Sequence, residues 1–120
     1  MKWGLNMTVS EFKTLARNMG LELKVDESYG RAYVGYYNNR PVCEYTSSYK
    51  QVQIAREFTF TFNSEIDKRE LKITSYLWTS SIKQATEGIK NILPYISEID
   101  LFNKRIEAIK KEKDLTKDFE

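Results

Sequence analysis

The sequence predicts a single α+β domain: an N-terminal helix, an antiparallel meander of about five strands, then C-terminal helices. Three observations carry that expectation. Apolar residues recur at helical spacing near the two ends, they alternate with polar residues through the middle, and no repeat, low-complexity tract or linker divides the 120 residues. A chain of this length buries roughly two thirds of its unfolded surface as one domain. The span 1–120 is therefore read as one unit, with the charged end 111–120 expected to fray.

The elements follow in order. Thr8-Val9-Ser10-Glu11 fits a capping box, and Val9, Phe12, Ala16 and Met19 follow at helical spacing. The first helix should run to about Asn18, with Gly20 suited to the left-handed conformation that ends it. Trp3, Leu5 and Met7 alternate ahead of this helix and fit an additional edge strand. Leu21, Leu23 and Val25 alternate with Glu22 and Lys24 as a half-buried strand that stops at Asp26-Glu27-Ser28.

A hairpin then spans Arg31 to Thr46. Six of the eight tyrosines fall between Tyr29 and Tyr49, and Asn38-Asn39 reads as its two-residue turn, because Asn tolerates positive φ. That register pairs Tyr37 with Arg40 and Tyr33 with Glu44. Strict alternation places Ala32, Val34, Tyr36, Cys43 and Tyr45 on the core face and Tyr33, Tyr37, Arg40 and Glu44 on the other.

In Glu57-Phe58-Thr59-Phe60-Thr61-Phe62 three phenylalanines share one face of a strand and threonines the other. Residues 70–78 fit either a strand or a helix. A strand is favoured because it gives Phe62 an antiparallel partner. Ser81 with Gln84 forms a second capping box, and Ile82, Ala85, Ile89 and Ile92 continue at helical spacing to Pro94, which should break or kink the helix. Ser97 then caps a third helix with the stripe Ile99, Phe102, Ile106 and Ile109, and Glu98 and Asp100 in its first turn complement the helix dipole.

Composition narrows function by exclusion. Apolar residues at 41% and charged residues at 30% describe an ordinary globular domain. Nineteen basic against 17 acidic residues leave a net charge of +2, which permits nucleic-acid contact without indicating it. The chain has no histidine, hence neither the commonest general base nor the commonest transition-metal ligand. The single cysteine, Cys43, excludes an internal disulfide and a four-thiolate zinc site. Without a histidine base it reads as a small hydrophobe rather than a nucleophile.

Neither an EF-hand spacing nor a phosphate-cradling glycine motif is present. No catalytic residue, metal ligand or cofactor is assigned. There is no signal-peptide h-region and no apolar run long enough to span a bilayer, so a cytoplasmic location and no membrane partner are expected.

What remains points to binding. Tyr33, Tyr37, Arg40 and Glu44 combine amphipathic rings with a cation and an anion, a mixture suited to protein contact. The same face would serve a nucleic-acid binder as a stacking platform, although Arg31, Arg40, Lys50 and Arg56 are offset by Asp26, Glu27 and Glu44. The stripe Ile99, Phe102, Ile106, Ile109 suits packing on the domain's own sheet or on another protomer.

The Lys/Glu/Ile/Asn-rich and Tyr-rich style of the chain, ending in RIEAIKKEKDLTKDFE, resembles small accessory proteins of phages and prophages of low-GC Gram-positive bacteria. The likeness lies in composition and layout and specifies no residue. It implies a non-enzymatic protein that binds and inhibits a host or defence protein, anti-CRISPR proteins being one such class.

Overall fold

The computed structural model describes residues 6–27 and 30–118, with side chains through 115. Helix α1 (Val9–Asn18) is followed by strands β1 (Glu22–Asp26), β2 (Ala32–Tyr37), β3 (Arg40–Thr46), β4 (Gln51–Asn63) and β5 (Lys68–Thr79), then by helix α2 (Ile82–Asp118). The strands form one antiparallel sheet in the order β1-β2-β3-β4-β5. The fold is α+β, a meander flanked by helices, and 70–78 lies within a strand. Trp3 and Leu5 fall outside the described residues, so the extra edge strand is not addressed. Met7 is buried, and its N–H donates to the Lys50 carbonyl.

Both sides of the capping box on α1 form: the Thr8 Oγ1 accepts from Glu11 N–H at 3.1 Å, and Glu11 Oε1 accepts from Thr8 N–H at 3.0 Å. Gly20, at φ +73°, ends the helix as a left-handed residue can. Phe12, Leu15 and Ala16 face inward, and the Phe12 ring stacks on Tyr45 with centroids 5.3 Å apart. The buried face of α2 supplies Ala85, Ile89, Ile92 and Ile96 to the same cluster, beside Val52 and Ile54 of β4. Both helices thus contribute to one core on one side of the sheet. Neither helix covers the other side, and among the described residues it is exposed.

Helix α2 corrects the expectation of two helices. Pro94 lies inside an unbroken helix of 37 residues. Proline forfeits one backbone hydrogen bond and costs on the order of 3 kcal/mol in a helix interior. Burial of Ile92, Ile96 and Ile99, on either side of it, offsets this at roughly 1.5–3 kcal/mol per side chain. Ser97 is accordingly mid-helix and caps nothing. The second capping box forms by half: Gln84 N–H donates to Ser81 Oγ at 3.2 Å, but the Gln84 side-chain oxygen accepts from the Thr79 hydroxyl at 2.6 Å.

The molecule is elongated, 75 × 25 × 25 Å, because β3 pairs with β4 only where Cys43–Thr46 meet Gln51–Ile54. The remainder of β4 and β5 continues as a two-stranded ribbon, with α2 alongside. Register shifts on either side of Glu57 leave Arg56 and Thr74 unpaired, one in each strand. The two irregularities compensate. Phe58 and Phe60 pack on Tyr95 and Phe62 on Phe102, as their shared face requires. Asn103 accepts from Arg69 N–H at 2.9 Å and donates to its carbonyl at 3.2 Å, closing the edge of β5 at that point.

Candidate functional site

The hairpin that carries the tyrosines forms with the expected turn and with different faces. Asn38 and Asn39 both have positive φ, 50° and 65°, and Tyr37 pairs with Arg40. Two residues later the register shifts. Tyr36 opposes Pro41 and Gly35 opposes Cys43, so Val42 is an additional residue in β3 and a β-bulge. In consequence Tyr33 pairs with Tyr45, and Glu44 with Val34.

The bulge places Tyr37 and Arg40 on the same covered side as Cys43 and Tyr45, which strict alternation forbids. Tyr33 is 7% exposed, its ring 6.3 Å from Tyr45 and capped by the Lys13 ammonium. Tyr37 shares a 2.7 Å hydrogen bond with Ser97. The Arg40 guanidinium pairs with Asp100 at 3.1 Å, and Asn38 donates to the other carboxylate oxygen. Tyr37, Arg40 and Asn38 thus fasten the hairpin to α2, while Tyr33 packs beneath α1.

The outward placement of Tyr33, Tyr37 and Arg40 is therefore corrected, whereas Glu44 does face the open side. Tyr36, assigned to the core, lies on the open side beneath the Lys24 ammonium at 4.7 Å. Asp100 likewise compensates Arg40 rather than a helix N-terminus. Of the stripe on α2, Ile99 is buried, Phe102 is half-buried against Phe62 and the Arg69 guanidinium, Ile106 is half-buried and Ile109 is exposed.

Packing fixes why Tyr33 goes inward. A Cβ at Gly35 would lie 2.7 Å from the Cys43 Sγ and 3.0 Å from Leu21 Cδ1. A bare backbone at position 35 lets β1, β2 and β3 close over the thiol, and the same strand face then carries Tyr33 and Tyr37 inward. Burial pushes the Cys43 thiol up to about 12, partly opposed by a hydrogen bond with the Gly35 backbone. A thiol so held is not a thiolate nucleophile near neutral pH. Burial, reinforced by the negative charge of Glu11, also raises Tyr45, whose hydroxyl donates to the Met7 carbonyl.

The open side of the sheet holds a different set. Register puts Lys24, Val34, Glu44, Gln53 and Trp78 in one row, with Tyr36, Pro41, Ala55 and Tyr76 in the next. Tyr76 is 52% exposed and Trp78 41%, and Tyr49, in the turn between β3 and β4 and 69% exposed, meets Trp78 edge to face at 6.2 Å. Sequence reasoning missed Tyr76 and Trp78. Their signal was the alternation Tyr76-Leu77-Trp78-Thr79, in which an inward Leu77 obliges both rings to point outward.

An open cleft of about 250 Å³ is lined by the open-side residues Val34, Pro41, Glu44, Gln53 and Tyr76, with Val42, Cys43 and Ile73 of the core at its floor. Glu44 is half-buried at the cleft and engages no cation among the described residues. Lys24 is drawn to Tyr36, and Arg31 pairs with Glu27 at 3.5 Å. A larger groove, about 570 Å³, lies between the Asn38-Asn39 turn, the ribbon tip and α2. Its charges are in part internally matched, Arg40 by Asp100 and Lys68 by Glu107.

Among the described residues no group of three or more acidic or thiol side chains is placed to hold a metal, and no helix is long and apolar enough to cross a membrane. Comparison with family models, curated proteins and solved structures finds no match.

Proposed function

We propose that the chain is a non-enzymatic binding module that engages another protein through the open side of its sheet, with Tyr36, Tyr49, Tyr76 and Trp78 as the contact rings. The observation that carries this is that four large aromatic side chains, Tyr49, Tyr76 and Trp78 exposed and Tyr36 half-buried, share the sheet face that neither helix covers. Tyrosine and tryptophan bury much area for little side-chain entropy, and exposed aromatic patches on small domains mark interaction surfaces. Tyr33, Tyr37 and Arg40 support that surface from behind. The compositional likeness to small phage accessory proteins suggests a host or defence protein as the partner, blocked by occupation of its surface.

The double variant Trp78→Ser, Tyr76→Ser tests the proposal. It should keep the native amide spectrum while losing capture of the partner from a bacterial lysate. Capture at wild-type yield by a folded double variant would defeat the reading.

A second reading, stacking of single-stranded nucleic acid on the same rings, is favoured by their common face. Charge opposes it, since Glu22, Asp26 and Glu44 share that side with Lys24. Oligonucleotide binding that weakens steeply with salt would establish it in place of the first.

A further inference from the structure

We propose that the cleft beside Glu44 receives a basic side chain, an arginine or a lysine, presented by the protein partner. The inference rests on the open sheet side being the binding surface and specifies the chemistry recognised there.

Size comes first. At about 250 Å³ the cleft falls below the roughly 300–1,000 Å³ of small-molecule pockets and suits one long side chain inserted from a larger partner. Its walls suit the two parts of such a side chain. Val34, Pro41 and Ile73 offer apolar contact to an aliphatic stem, as basic side chains need when they lie along hydrophobic surface. The Tyr76 ring, also in the lining, gives the cationic head an aromatic neighbour. Glu44 offers a carboxylate, and Gln53, its cross-strand neighbour, an amide oxygen.

Charge supplies the second argument. A half-buried carboxylate in an apolar cleft ordinarily has a compensating cation, because burial of an unpaired charge is costly. Lys24 is drawn to Tyr36, and Arg31, which lines an adjoining pocket with Glu44, forms its ion pair with Glu27. On the open side of β1 to β3 the charged strand positions are Glu22, Lys24, Asp26 and Glu44. With Arg31 beside Asp26 and Glu44, three acids meet two bases there, a small acidic excess that complements a basic partner segment. The excess repels a phosphate backbone.

The test titrates the isotope-labelled protein with acetyl-arginine methylamide and, separately, with its neutral isostere acetyl-citrulline methylamide, following amide shifts. The arginine probe should produce saturable shifts in the millimolar range, centred on Val34, Glu44, Gln53 and Tyr76, and citrulline should bind about fivefold more weakly. Glu44→Gln should abolish that preference, and Tyr76→Ser should weaken the arginine probe again.

Equal binding of the two probes, or shifts centred elsewhere, would overturn the proposal, as would a preference that survives Glu44→Gln. The outcome is separable from that of the broader reading. If Trp78→Ser with Tyr76→Ser abolishes partner capture while the probes show no charge preference, the open side is the binding surface and the basic-side-chain inference alone fails.

Discussion

The two sides of this sheet use tyrosine for opposite purposes. On the covered side, Tyr33 and Tyr45 fill space between α1 and the strands, and Tyr37 ties the hairpin to α2 through Ser97. On the open side, Tyr36, Tyr49 and Tyr76 join Trp78 as half- or well-exposed rings. Tyr36 and Tyr37 are adjacent in sequence and part company only because strand neighbours point to opposite faces. The bulge at Val42 then lets β3 keep Arg40, Cys43 and Tyr45 all on the covered side. Composition says nothing about which tyrosine does which job. Register does.

If the covered side is the structural one, damage there should dominate stability. Phe12 is fully buried and stacks on Tyr45, so Phe12→Ala should cost about 3–5 kcal/mol. For a domain of ordinary stability that is a large share of the total. Urea denaturation would measure it, and a loss below about 1 kcal/mol would mean that α1 is only loosely docked.

The covered side should also carry the alkaline sensitivity. The Cys43 thiol rises from 9.0 to about 12 on burial. Below pH 9 both states are protonated and its contribution is fully present. Between 9 and 12 the unfolded chain loses the proton first, so stability falls as pH rises, by roughly 3 kcal/mol at pH 11. Cys43→Ala should flatten that part of the curve. Comparison of wild type and variant at pH 8 and pH 11 isolates the thiol from other groups, including Tyr45, which shifts in the same direction.

Gly35→Ala would test how tightly the covered side closes. The added methyl collides with the Cys43 Sγ and Leu21 Cδ1, an overpacking cost of about 1–3 kcal/mol, partly offset by the 0.5–1 kcal/mol gained on replacing a strand glycine. A net loss of about 1–2 kcal/mol is expected. Combining it with Cys43→Ala removes the colliding sulfur and should recover most of that loss. Additive losses in the double variant would place the strain elsewhere.

These three variants also mark what the sequence displayed. The capping box at Thr8, the Gly20 stop, the Asn38-Asn39 turn and the phenylalanine face of β4 all depend on residues within a few positions of one another, and each formed as expected. The bulge at Val42 is not local in this sense. Strict alternation read Ala32, Val34 and Tyr36 as the more apolar set, and only the packing of Gly35 against Cys43 of β3 and Leu21, just ahead of β1, reverses the choice. Pro94 failed as a stop for the same reason, since the isoleucines that hold the helix through it find their partners on distant strands. Trp78 and Tyr76 were legible in the alternation of β5, but only once that segment was taken as a strand throughout.

Tyr37→Phe probes the boundary between the two sides. It removes a partly buried hydrogen bond and leaves Ser97 without that partner, a loss of about 1 kcal/mol. Because Tyr37 faces α2, partner affinity should not change. A drop in affinity with stability intact would return this residue to the contact surface.

The smallest effect on stability is expected at Tyr49, where the comparison is sharpest. Its ring is 69% exposed and its ring contact is with Trp78. Tyr49→Ala should shift the unfolding free energy by less than about 0.5 kcal/mol, as surface substitutions usually do. Loss of the edge-to-face neighbour should nevertheless alter Trp78 emission, and truncating one ring of the contact patch should weaken partner binding. A residue that costs little to remove from the fold yet matters for association has its use outside the fold. If Tyr49→Ala instead destabilises the domain by as much as Gly35→Ala, the open side is packed more firmly than its exposure implies, and its rings belong with Tyr33 and Tyr45.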